Sequence, residues 1–128
     1  LFVPLAKWLM VLTGNYRCIK RDEMISIKDA VHSDLDASRE MYEWVGKLCL
    51  KLGAKDTDLV PFDKYANAAR GLLKPSSAAR ALFGGAKHIE RVDALVQQIA
   101  SQLDLRYQPV DEIVTLVDER LSDNGRAA

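Results

Sequence analysis

The chain has 128 residues, of which 48% are hydrophobic and 28% are charged, with 18 basic and 18 acidic side chains. This length is typical of one domain, and the apolar content is sufficient for a hydrophobic core. The net charge of zero argues against nucleic acid or an anionic membrane as the main partner, because both attract an excess of positive charge. No apolar run reaches the roughly 18 residues that a transmembrane helix needs, so we expect a soluble protein.

The apolar run from Leu1 to Leu12 lacks a basic leader and a small-residue cleavage site, so it is a poor signal peptide. Because an apolar helix at a chain start needs covering, we expect a fragment of a longer protein. Pro4 and Gly14 bound a first predicted helix over Pro4–Thr13, since proline suits the first helical turn. Lys7 is the one charged residue among the first sixteen. It is either buried with a partner or extended from the helix edge into water.

The middle of the chain carries the second and third predicted helices. Met24–Ile27 reads as a short extended piece or the start of a turn. Asp34–Leu52 follows as a helix with Ser33 as its N-cap and Gly53 at its end. One apolar face recurs along this helix at helical spacing: Met41, Val45, Leu48, Cys49 and Leu52. The third helix is predicted over Pro61–Leu73.

The last third of the chain predicts three more helices: Ser76–Phe83, Lys87–Leu103 and Pro109–Leu121. The pair Gly84-Gly85 separates the first two of these, and the tail after Ser122 is expected to fray. The apolar stripe of the fifth helix consists of Ile89, Val92, Val96, Ile99 and Leu103. We therefore predict that residues 1–128 form one all-α domain, a bundle of about six helices.

Several kinds of site are absent from the sequence. No Gly-x-Gly-x-x-Gly or P-loop pattern is present, so no dinucleotide pyrophosphate site is expected in this chain. His32 and His88 are too far apart to indicate a metal site. Cys18 and Cys49 match no metal or redox spacing, so free thiols in a reducing compartment, the cytoplasm, are expected.

Two segments carry a resemblance to a known family. Lys74-Pro75-Ser76-Ser77, a short helix, a glycine turn and then Ile89-Glu90-Arg91-Val92-Asp93 resemble the C-terminal domain of ketopantoate reductases. Lys7-Trp8-Leu9, with Asn15 eight positions after the lysine, is similar to the family's lysine helix and its asparagine. The resemblance is strongest from Lys74 to Val117 and implies a fold like the C-terminal domain of 6-phosphogluconate dehydrogenase.

The resemblance also implies a function. An N-terminal Rossmann domain, absent from this chain, would bind NADP, and this helical domain would close over a 2-keto acid and form a homodimer. Lys7 would be the general acid toward the forming alkoxide, and Glu90 a helping carboxylate. Asn15 and Ser77 would contact the substrate. The bare Ser76-Ser77 pattern, taken without the family, indicates a helix N-cap.

Some alternatives stay open at this point. Matching Val92-Asp93 to the family's Val-Asp pair places Arg91 at the acid position, and Glu90 takes that position only if the helix phase shifts by one residue. Val11 stands where the family has an asparagine, which favours a keto acid other than ketopantoate. The choice between NADH and NADPH rests with the absent domain. The alternative function is a helical interaction or dimerisation module without catalysis.

Overall fold

The structure is a computed structural model that describes residues 3–127, and the regular secondary structure of this part of the chain is helical, without a β-strand. The predicted all-α class is therefore confirmed. Leu1 and Phe2 of the apolar opening run lie outside the described residues, as does Ala128. Seven α-helices occupy the described residues: α1 Leu5–Met10, α2 Ile27–His32, α3 Leu35–Lys51, α4 Phe62–Ala69, α5 Ser77–Phe83, α6 Val92–Gln102 and α7 Gln108–Arg126.

The first helix does not stop at the predicted glycine. α1 continues directly into a π-helix over Val11–Asn15 and then into a 3₁₀ turn over Tyr16–Cys18. A second 3₁₀ turn lies at Asp56–Asp58, between α3 and α4. The predicted helix over Pro4–Thr13 is thus present but longer, and its second half is not α-helical.

The core lies where α1 and the π-helix pack against α3. Leu12 of the π-helix and Val45 of α3 are fully buried there. Four of the five residues predicted for the apolar face of α3 are buried, because they fall on one side of a long regular helix. Leu52 is 37% exposed, because it follows the last turn of α3.

A second layer forms where α6 packs against α7. Val96 and Val117 are fully buried in this part of the core. The predicted stripe of the fifth helix is right for Val92 and Val96 but wrong for Leu103, which is 45% exposed at the end of α6.

Several predicted boundaries need correction. The N-cap of α3 is Asp34 and not Ser33, because the Asp34 carboxylate accepts the backbone N–H of Ala37 at 3.0 Å. Met24 forms an isolated antiparallel bridge with Ile19, whereas Ile27 begins the unpredicted helix α2. The third predicted helix ends at Ala69 rather than Leu73, and the fifth begins at Val92 rather than Lys87.

The C-terminal tail is ordered as helix, which contradicts the expectation of fraying after Ser122. α7 runs on to Arg126. The side-chain amide of Asn124 donates to the carbonyls of Leu82 and Ala86, at 2.9 and 2.8 Å. These two bonds hold the end of α7 against the glycine turn that follows α5, where Gly85 takes a φ of 97°.

Both cysteines are buried free thiols. Burial raises the pKa of Cys49 to about 11, so this thiol stays protonated near neutral pH. Its position on the buried face of α3 confirms the predicted core role. Among the described residues, none of the helices has the length and apolar character to cross a membrane.

Candidate functional site

A cavity of about 410 Å³ lies between the π-helix, the start of α5 and the segment that precedes α6. Three of the four predicted site residues line it: Asn15, Ser77 and Glu90. Its apolar surface includes Val11 and Ala81. The fold therefore brings together polar side chains that come from three separate parts of the sequence.

The π-helix sets the direction of Asn15. An α-helix turns by about 100° per residue, so eight residues of regular α-helix would leave Lys7 and Asn15 about 80° apart. A π-turn closes with an i→i+5 bond and accommodates one extra residue. Eight positions that include the π-turn therefore rotate the chain about as far as seven residues of α-helix. The directions of the Lys7 and Asn15 side chains around the helix axis then differ by only about 20°.

Lys7 is exposed, so the interpretation of a lysine buried in an apolar helix is wrong, and the lysine at the helix edge is right. The residue does not line the cavity. Lys7 precedes Val11 by one helical turn, so the two side chains lie on the same face of the helix. Because Val11 lines the cavity, Lys7 lies on the helix face that leads toward the cavity.

The two serines at the start of α5 have different roles. The Ser76 hydroxyl accepts the backbone N–H of Ala79 at 3.2 Å, as an N-cap does. It also donates to the carbonyl of Asn15 at 2.7 Å, and this bond holds the start of α5 against the end of the π-helix. Ser77 is exposed and lines the cavity, so its hydroxyl can meet a ligand while Ser76 maintains the structure.

Tyr16 fixes the backbone that carries Glu90. Its hydroxyl donates to the carbonyl of Glu90 at 2.5 Å and accepts the backbone N–H of Val92 at 3.0 Å. Burial and the nearby charge of Asp93 raise the pKa of Tyr16 to about 12, so the hydroxyl is a neutral donor at physiological pH.

The Arg91 side chain makes its contacts outside this cavity. Its guanidinium donates to both carboxylate oxygens of the fully buried Asp93, at 2.9 and 3.0 Å, and to Asp118 at 2.8 Å. Burial of Arg91 opposes its charge, but its hydrogen bonds to the two aspartates, together with their negative charges, outweigh burial and raise the pKa of Arg91. Of the two residues left open by the sequence, Glu90 lines the cavity and Arg91 does not.

Two polar residues that line this cavity, Tyr16 and His88, were not predicted from the sequence. His88 is exposed and lines the cavity beside Ile89 and Glu90. An isolated histidine in a loop gives no signal of its role, and the separation of His88 from His32 in the sequence argues only against a metal site. The part of the chain that the structure describes contains no group of three or more residues that could hold a metal ion.

The chain matches no protein-family model, and neither a curated protein nor a solved structure matches it.

Proposed function

We propose that this chain is the substrate-binding and dimerising domain of a cytoplasmic NAD(P)-dependent 2-keto-acid reductase of the ketopantoate reductase type. The observation that supports the proposal is the cavity lined by Asn15, Ser77 and Glu90. Each of these residues is expected from the resemblance alone, and they come from distant parts of the sequence. A helical fold alone hosts many functions and would support no such assignment.

The cofactor would be held elsewhere. The sequence has no glycine-rich loop of the kind that binds a dinucleotide pyrophosphate. In the proposed reaction the nicotinamide, held by a separate Rossmann domain, supplies the hydride. The residues described here would bind the keto acid and manage its proton.

The proposed roles follow from what a keto group needs as it is reduced. Its oxygen becomes an alkoxide, which is stabilised by a nearby positive charge and must take up a proton. The ammonium group of Lys7, on the helix face that leads to the cavity, would supply both. The Asn15 amide and the Ser77 hydroxyl would orient the substrate by donating hydrogen bonds. The Glu90 carboxylate would accept a hydrogen bond from the Lys7 ammonium or from the product hydroxyl.

The test is NADPH oxidation by the full natural protein that contains this chain, offered ketopantoate and a panel of other 2-keto acids. We expect Lys7→Ala to lower kcat on the order of 10²- to 10⁴-fold, the usual contribution of a general acid. Because Lys7 is exposed, the melting temperature should stay unchanged. Lys64→Ala removes an exposed lysine of α4 that lies away from the cavity and serves as the control.

Two results would contradict the proposal. One is a folded protein that oxidises NADPH with none of the acids. The other is a Lys7→Ala variant that turns over like the Lys64→Ala control.

The second candidate is an interaction module without catalysis. It is favoured by the exposure of two leucines in the loop after α4, Leu72 at 44% and Leu73 at 69%. Neighbouring exposed apolar side chains of this size often mark a contact surface. In this case Leu73→Asp should abolish self-association in sedimentation experiments, and Lys7→Ala should leave it untouched.

A further inference from the structure

A second cavity, of about 440 Å³, lies on the other side of Asn15 and Ser77. These two residues line both cavities, so they stand between them. Ile27 and Leu72 contribute apolar surface to the second cavity, and charged side chains also line it.

Two positively charged side chains, Lys74 and Arg80, line the second cavity, and no acidic residue lines it. Within residues 3–127, neither of them has a carboxylate partner within 4.0 Å. Arg80 follows Ser77 by three positions on α5, so the two side chains share one helix face. The first cavity, by contrast, carries the carboxylate of Glu90. The second cavity therefore favours an anionic group more than the first does.

We infer that the second cavity binds a carboxylate at the far end of the substrate, so that the acid reduced is a 2-keto dicarboxylic acid. This inference rests on the proposed function, since it extends the same site through Asn15 and Ser77. The planar guanidinium of Arg80 suits a bidentate carboxylate contact, and the Lys74 ammonium adds a point charge. The methylene groups between the two carboxylates would lie against Ile27 and Leu72. The distal carboxylate keeps its charge and takes no part in the hydride or proton transfer.

Two acids of the same chain length provide the test. 2-Oxoglutarate carries the distal carboxylate, and 2-oxopentanoate has a methyl group in its place. In calorimetric titrations of the 128-residue chain, we expect 2-oxoglutarate to bind at least about tenfold more tightly, the effect of one charged hydrogen bond. Arg80→Gln should remove that difference. The matched control Lys64→Gln, which also removes one positive charge, should keep it.

Equal affinity for the two acids, or an Arg80→Gln variant that still discriminates between them, would overturn the inference. Inorganic phosphate is titrated as a third probe. If phosphate binds as tightly as 2-oxoglutarate and through Arg80, the cavity takes phosphate oxygens and the assignment to a substrate carboxylate is wrong.

The reduction assay separates this inference from the proposed function. NADPH oxidation at equal kcat/KM with both acids would support the proposed reductase function and overturn the inference that the substrate is a dicarboxylic acid. Arg80-dependent binding of 2-oxoglutarate without NADPH oxidation would support a carboxylate site in the second cavity and overturn the proposed reductase function. A preference for 2-oxoglutarate in kcat/KM that Arg80→Gln abolishes would support both.

Discussion

Replacement of Arg91 by methionine should destabilise the chain strongly. Asp93 is fully buried, and Arg91 donates to both of its carboxylate oxygens. Methionine keeps an apolar stem of similar length but leaves the carboxylate without its charged partner. Breaking a buried ion pair in this way costs about 3–5 kcal/mol. This is a large share of the roughly 5–15 kcal/mol that stabilises a typical domain.

Urea unfolding at pH 7, followed by circular dichroism and by tryptophan fluorescence, measures this loss. Arg126→Met is the control, because Arg126 pairs with Asp123 at an exposed end of α7 and should cost less than about 1 kcal/mol. Adding Asp93→Asn to Arg91→Met removes the buried charge and should restore part of the stability. The reasoning is refuted if Arg91→Met costs no more than the control, or if the second substitution deepens the loss.

Three further predictions concern the core. Val96→Asp buries a charge at a fully buried position and should cost more than about 3 kcal/mol in urea unfolding, whereas a small loss would mean that this side of α6 is accessible. Gly14→Ala should cost about 1–3 kcal/mol, because an added Cβ would lie 2.0 Å from the Tyr65 hydroxyl. Tyr65→Phe in the same chain should recover most of that loss, and no recovery would refute the contact. Burial raises the pKa of Tyr42 from 10.0 to about 12, so its contribution to stability is complete below pH 10 and is lost as the pH rises toward 12. Tyr42→Phe should flatten the fall in unfolding free energy over that range, and an unchanged slope would contradict this.

The regular helices were predictable because their apolar residues recur at helical spacing over three turns or more, as in α3. Helix α2 gave no such signal because it has only six residues. It is held by contacts that a local pattern does not contain: the backbone N–H groups of Ile27 and Lys28 donate to the carbonyls of Lys74 and Leu72. The tail of α7 was missed for the same reason, since Asn124 bonds to a turn 38 and 42 positions away.

The site was predictable in part. The resemblance named three residues that the fold brings to one cavity. It did not decide whether Glu90 or Arg91 occupies the acid position. That choice depends on the Tyr16 hydroxyl, 74 positions earlier, which holds the backbone of Glu90 in place. The second cavity escaped prediction because Lys74 and Arg80 look like ordinary surface charges in the sequence. Only the folded chain shows that they share a cavity with Asn15.

The π-helix over Val11–Asn15 has a consequence for comparing this chain with other helical domains. Because a π-turn holds one residue more than the α-helical turn it replaces, it is equivalent to a single-codon insertion inside a helix. In a gap-free alignment with a regular α-helix that matches Lys7 to a lysine, Asn15 is paired with the eighth residue after that lysine. In space, Asn15 takes the direction of the seventh residue. A superposition of the two folds would therefore need a one-residue gap within residues 11–15, whereas the two sequences pair without one.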